Sequence, residues 1–234
     1  MSSVSIVLRK ELRELLAAKG TLLTGIALAL FFGVMYSLKL GSVGSLSLEQ
    51  SLGSLLFFLT TTLGVFMGYT FTSQVFLREK MDGVIETLLC SPVTLRGIWL
   101  GKTLAVTLVA VVLAIGSGVL TAVVAGYRAG SLALPEAAVV FHVVVVLPMI
   151  VACLVGGLGF AQLLLGMKEN RIIGLALFIP IFAALYGIGY SSTGSFVAGW
   201  LHVGLLGLGA AAVLAGLGYA SLRLNKERIV TTLS

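Results

Sequence analysis

Apolar and polar positions fall in long blocks along this chain. Apolar runs of roughly 20 residues, the length a helix needs to cross a bilayer core about 30 Å thick, recur six times. They cover residues 21–38, 52–76, 103–126, 137–167, 172–190 and 199–222. Two further stretches carry a helical period instead. In 4–18, Val4, Leu8, Leu12, Leu15 and Leu16 recur at helical spacing, with Arg9, Lys10, Arg13 and Glu14 mainly opposite. In 77–92, Met81, Val84, Ile85, Leu88 and Leu89 stand at i, i+3, i+4, i+7 and i+8. The pattern predicts an all-α, polytopic integral membrane protein: one domain over 1–234 with six transmembrane helices. An amphipathic helix at 4–18 is expected at the membrane interface, and a cytoplasmic helix at 77–92 between the second and third spans. The first run is expected to be a true span and not a cleaved leader, since Glu11 and Glu14 precede it and more spans follow.

The charges sort by connection. Of 15 Lys and Arg residues, 13 lie before the first run, in 77–102, in 168–171 and after the last run; only Lys39 and Arg128 fall in the alternate connections. Positive residues collect on the cytoplasmic side, so both termini are expected inside. No Asp, Glu, Lys or Arg lies in the interior of a run. A charge there costs about 2.5–3.5 kcal/mol on the insertion scale and persists for a function such as ion coupling. Its absence argues against a secondary transporter or channel, the reading of another class, and leaves any driving energy to come from outside the membrane.

Composition narrows the classes further. With 59% hydrophobic and 10% charged residues and a mean hydropathy of +1.13, the chain is excluded as a water-soluble enzyme or a nucleic-acid reader. Cys90 and Cys153 make no disulfide framework, and no CxxC, HExxH or His/Asp/Glu cluster argues for a metal. The 29 glycines suit helices whose backbones approach closely. Gly64 and Gly68, and Gly118, Ala122 and Gly126, form small-xxx-small faces for packing within one subunit or between two.

The 77–92 segment holds the most information. Ser91-Pro92 ends its helix, because the residue before proline is pushed out of the α region. Thr94 can cap the next helix, which leads through Lys102 into the third span. Glu79, Asp82 and Glu86 lie near the apolar stripe, with Arg78 and Lys80 beside them. Such a helix either docks into a groove of a soluble partner, with Arg78 and Lys80 fixing register, or rests on lipid headgroups. Periodicity leaves both open.

The run Glu79, Gly83-Val84-Ile85-Glu86, Leu88-Leu89, Ser91-Pro92-Val93-Thr94 and Gly101-Lys102 resembles the signature region of ABC-2 type transporter permeases. Val84 stands where that family often has threonine. The resemblance implies the membrane-spanning subunit of an ATP-driven exporter, with no ATPase or catalytic residue of its own. Two permeases, identical or different, would pair with two separate ATPase subunits, which bind the ATP and magnesium. Residues 77–92 would be the coupling helix, with Arg78, Glu79, Lys80, Met81, Gly83, Glu86, Leu88, Leu89 and Pro92 transmitting ATPase closure. An uncharged lining favours an amphiphilic or lipid-like cargo in a prokaryotic plasma membrane. The heme-export permease of cytochrome c maturation is the alternative within the family.

Gly97-Ile98-Trp99-Leu100-Gly101-Lys102-Thr103 imitates a phosphate-binding loop, but three residues separate its glycines where four are required, and no strand precedes it. Thr61, Tyr69 and Gln162 offer polarity within spans, and Pro148 and Pro180 offer kinks. Each either lines a substrate path or serves helix packing. His142 and His202, near the outer ends of spans four and six, are either ligands or ordinary polar contacts. The Gly/Ser-rich stretch 187–200 joins spans five and six.

Overall fold

A computed structural model describes residues 3–39, 48–81, 94–130, 135–165 and 197–222, together with 172, 176, 179–181 and 183. All regular structure among the described residues is helical. In chain order, α1 is Ser3–Ala17, α2 Lys19–Lys39 and α3 Leu48–Thr72. A π-helical turn, Ser73–Leu77, leads from α3 into α4, Arg78–Met81. Then come α5, Leu95–Ala129, and α6, Ala137–Phe141. A second π-helical turn, His142–Val146, leads into α7, Leu147–Leu164, and α8 is Trp200–Ser221. Five of these stretches are long and apolar enough to cross a membrane: Lys19–Leu38, Glu49–Leu77, Leu95–Arg128, Ala137–Leu164 and Trp200–Ser221. They fit a multi-pass membrane protein and match five of the six expected runs. The fifth run, 172–190, and the segment 82–93 lie mostly or wholly outside the described residues.

Helix α3 is the centre of the bundle, and every residue from Ser51 to Val65 is buried. Helices α5 and α7 pack along it, α2 covers α5, and α8 covers α7. The outer helices remain apolar on the side away from the protein: Leu201, Leu205 and Leu208 of α8 are exposed, while only Val203, Ala210 and Ser221 are buried. A helix apolar all round with so little protein contact belongs in hydrocarbon. Two hydroxyls of α3 return their protons to the backbone four residues earlier, Thr60 to the Leu56 carbonyl and Thr61 to that of Phe57. No polar hydrogen of these two is wasted in a medium without water.

Close contacts depend on glycine at specific points. A Cβ on Gly64 would stand 2.9 Å from Leu147, and one on Gly159 would stand 2.7 Å from the Phe76 ring. Across α2 and α5, Ser117 donates to the Ala29 carbonyl at 2.7 Å and Thr121 to that of Gly33 at 3.0 Å. Across α5 and α7, the Trp99 indole N–H donates to the Gly156 carbonyl at 3.0 Å.

Proline at 148 was expected to kink the fourth span. It sits at the start of α7, immediately after the π turn. A proline removes its own N–H and collides with the carbonyl four residues back. Here that carbonyl belongs to Val144, inside the wider π turn, which absorbs the misfit without breaking the helix.

Helix α5 begins as its sequence requires. Thr94 is extended, with φ −71° and ψ 141°, and its Oγ1 accepts the Gly97 N–H at 3.2 Å. The helix ends at Gly130, whose φ of +68° is the left-handed cap that glycine adopts freely. Its 35 residues extend about 52 Å, longer than a ~30 Å core. Its first two turns therefore have room to project, and α1 packs against them.

Candidate functional site

The site lies where α1, the π turn with α4, and the first turns of α5 converge. Val7, Glu11 and Leu15, at i, i+4 and i+8, are the buried residues of α1. An acid therefore stands at the centre of the face that α1 turns toward the bundle. Opposite it Lys102 projects from α5, and Glu79 projects from α4.

These three charges meet. Lys102 Nζ lies 2.8 Å from Glu11 Oε1 and 2.6 Å from Glu79 Oε2. The side chains of Lys102, Glu11 and Glu79 are only 3%, 2% and 13% exposed. Lys102 Nζ also donates to the Val75 carbonyl at 3.4 Å, inside the π turn, and stands 5.7 Å from the centre of the Phe76 ring. Lys10 closes the network at its edge, 3.3 Å from Glu11, 3.3 Å from Glu79 and 3.4 Å from Glu14. Glu11, Glu14 and Glu79 hold carboxylate oxygens within 4.8 Å of one another, and the two lysines supply the balancing charge. Burial opposes the charged form of Lys10, but the carboxylates of Glu11, Glu79 and Glu14 outweigh it and raise its pKa.

The approach of α1 is permitted by two glycines of α5. A Cβ on Gly101 would stand 2.7 Å from the Val7 Cβ, and one on Gly97 would stand 2.7 Å from the Ser3 Oγ. The run that imitates a phosphate loop thus has a mechanical explanation: Gly97 and Gly101 seat α1, and Lys102 locks it. Beside the lock, a cleft of about 350 Å³ is lined by Lys10, Glu11, Glu14, Gln74, Arg78 and Glu79 among others. There Thr21 of α2 donates to Gln74 Oε1 at 2.9 Å.

A buried lysine shared by two acids is costly to assemble and more costly to disrupt. Removing one partner from a buried pair typically costs about 3–5 kcal/mol, because the remaining charge stays desolvated. Residue 79 therefore cannot leave Lys102 freely. Motion of the α4 stem either carries α1 and α5 with it or separates Glu79 from its cation. The arrangement is a joint that ties α1, α4 and α5 together.

Of the expected coupling residues, Arg78 is exposed beside the cleft and Glu79 is in the joint. Lys80 and Met81 continue α4, while Gly83, Glu86, Leu88, Leu89 and Pro92 lie outside the described residues. Of the residues considered for a path, Thr61 and Gln162 are buried, Tyr69 is half-buried and Pro180 is exposed. Thr61 is engaged with His142, whose Nε2 lies 2.8 Å from its Oγ1. Since the hydroxyl proton goes to Phe57, the imidazole is the donor, and the Phe57 ring lies 4.2 Å away, centre to centre. His142 thus ties the second π turn to α3, and His202 is exposed on α8.

The roles of Glu11, Lys102 and Trp99 were not anticipated from the sequence. A signal did exist: Glu11 interrupts an otherwise apolar stripe, and Lys102 stands alone at the mouth of an apolar run. Comparison of the chain with protein-family models, with curated proteins and with solved structures finds no match.

Proposed function

We propose that this chain is the membrane-spanning subunit of an ATP-driven exporter of the ABC-2 type. It would have six spans and both termini in the cytoplasm of a prokaryote, and would be energised by a separate ATPase docked on residues 78–92. One observation carries the reading: the stem of that segment is locked through Glu79 to Lys102, which also holds α1. A partner that pushes the segment then pushes two helices of the bundle at once. ATP binding can drive transport only by favouring one membrane conformation through differential contacts, and a rigid stem is what such a difference requires. Two copies of the chain would form the passage, and an amphiphilic or lipid-like cargo suits walls without charge.

The test is reconstitution of the full chain with a Walker-type ATPase encoded beside it. Binding of that ATPase to the wild type, with loss on Glu86→Arg and on Leu88→Asp, is the expected result. If no ATPase binds and transport into vesicles continues after ATP is exhausted, the reading fails.

A further inference from the structure

At the end of the bundle away from the Lys102 joint, a side-opening groove of about 790 Å³ runs between α3, α5 and the α6–α7 stretch. Its walls include Leu56, Ile115, Val119, Val123, Val139 and Val143. Among the described lining residues, Thr60 and Tyr127 bring the hydroxyls. The Thr60 proton is spent on the Leu56 carbonyl at 2.8 Å, and Tyr127, 89% exposed, stands at the end near the helix terminus. The floor is low at Gly118, where a Cβ would stand 3.0 Å from the Thr60 methyl. The open side shows Val119 and Val123, both exposed.

We propose that this groove holds one acyl chain of a membrane lipid, lying parallel to α5. Three observations choose that occupant. The groove belongs to helices long and apolar enough to cross a membrane, and in a bilayer its open side would meet hydrocarbon. Its wall offers an entering molecule almost no hydrogen bond, which suits methylenes and turns away headgroups and sugars. Its length along α5 from Ile115 to Tyr127 is about 18 Å, close to the ~15 Å depth of one leaflet's hydrocarbon. A helix of a second copy, which the small residues Gly118, Ala122 and Gly126 of the lining would also admit, is the competing occupant, and the disulfide arm of the test detects it. The inference rests on the membrane placement of these helices and does not depend on the exporter reading.

The test uses the whole chain in phosphatidylcholine vesicles doped with a trace of phosphatidylcholine bearing a diazirine near the end of one acyl chain. After photolysis, adducts are mapped by mass spectrometry. Residues 115–127 should carry about fivefold more label than exposed Leu108 and Val112 of the same helix, the scale of roughly ten added carbon contacts. Ala122→Phe, at a half-buried position of the lining, should fill the groove and bring the two regions to parity. Unchanged labelling at Leu108 and Val112 then shows that the fold persists. Parity in the wild type would mean an ordinary lipid annulus and would overturn the proposal, as would an excess that survives Ala122→Phe. So would efficient disulfide formation between two copies through Val123→Cys, with Cys90 and Cys153 replaced by serine, since a second copy would then cover the groove. No ATPase is needed for any arm, so failure here is separate from failure of the transport reading.

Discussion

Replacing Lys102 with methionine tests the joint directly. The substitution keeps most of the side-chain volume and removes the cation. Glu11, at 2% exposure, loses the Lys102 ammonium 2.8 Å away, and Glu79 loses the one at 2.6 Å. Lys10 still stands 3.3 Å from each, so neither acid is left wholly alone. Breaking a buried pair costs about 3–5 kcal/mol. Partial compensation by Lys10 should place Lys102→Met near the lower end of that range. For a chain of this size about 3 kcal/mol corresponds to a fall in Tm of roughly 6–12 °C. The measurement is thermal unfolding in detergent, with amide exchange followed over α1. Exchange in Val7–Leu15 should rise as α1 loosens. The variant Glu11→Leu, Glu79→Gln, Lys102→Met should recover most of the lost Tm, because it removes the acids along with their cation. If Lys102→Met melts like the wild type and leaves α1 protected, the joint contributes nothing to stability and does not hold α1. Under the proposed function, the triple variant would be stable yet poorly coupled: ATPase bound, hydrolysis intact, transport reduced. That split separates a structural ion cluster from a transmission element.

Gly101→Val should force α1 off its seat, since the first carbon added would already stand 2.7 Å from Val7. Overpacking of this kind costs about 1–3 kcal/mol, and limited proteolysis within α1 should accelerate. Trp99→Phe keeps an aromatic ring but loses the bond to the Gly156 carbonyl and part of the buried indole's packing; a loss of at least about 1 kcal/mol in stability is expected, read as a Tm shift. The raised pKa of Lys10 sets a pH dependence with a definite sign. A group whose folded pKa lies above its unfolded value contributes fully below the unfolded pKa, about 10.4 for lysine, and loses its contribution as pH rises through the folded value. The Tm difference between wild type and Lys10→Met should be constant from pH 7 to 9 and shrink only above about pH 10.4. A difference that disappears near neutrality would assign the effect to another group.

Much of the architecture is written in the sequence because the bilayer leaves few choices. A run of apolar residues 20 long has little alternative to a helix in hydrocarbon, and five runs reappear as helices of nearly the expected bounds. The Thr94 cap was equally readable, since capping is local chemistry. The joint was not. It unites residues 11, 79 and 102 from three separate elements, and no local pattern carries that distance. Glu11 falls within the apolar stripe and Glu14 on the charged side, and one is buried and the other exposed. The stripe marks Glu11 as unusual but does not name its cation, which arrives with α5 from 91 residues away. The π turns were also invisible, since each adds one residue to a helical repeat without altering its composition. Pro148 stands just after one of them, two residues beyond its end.

The separation of Glu11 and Lys102 along the chain, 91 residues, imposes an order on biogenesis. At a synthesis rate of about 5–20 residues per second, the acid waits roughly 5–20 s for its cation. During that interval α1 has no seat, because Gly97 and Gly101 have not been made. The nascent amphipathic segment keeps its carboxylate hydrated until then, and it docks only after the leading turns of α5 emerge. An insertion machinery that held the first two spans in place until then would be guarding an unfinished closure, and the newest lysine would complete it.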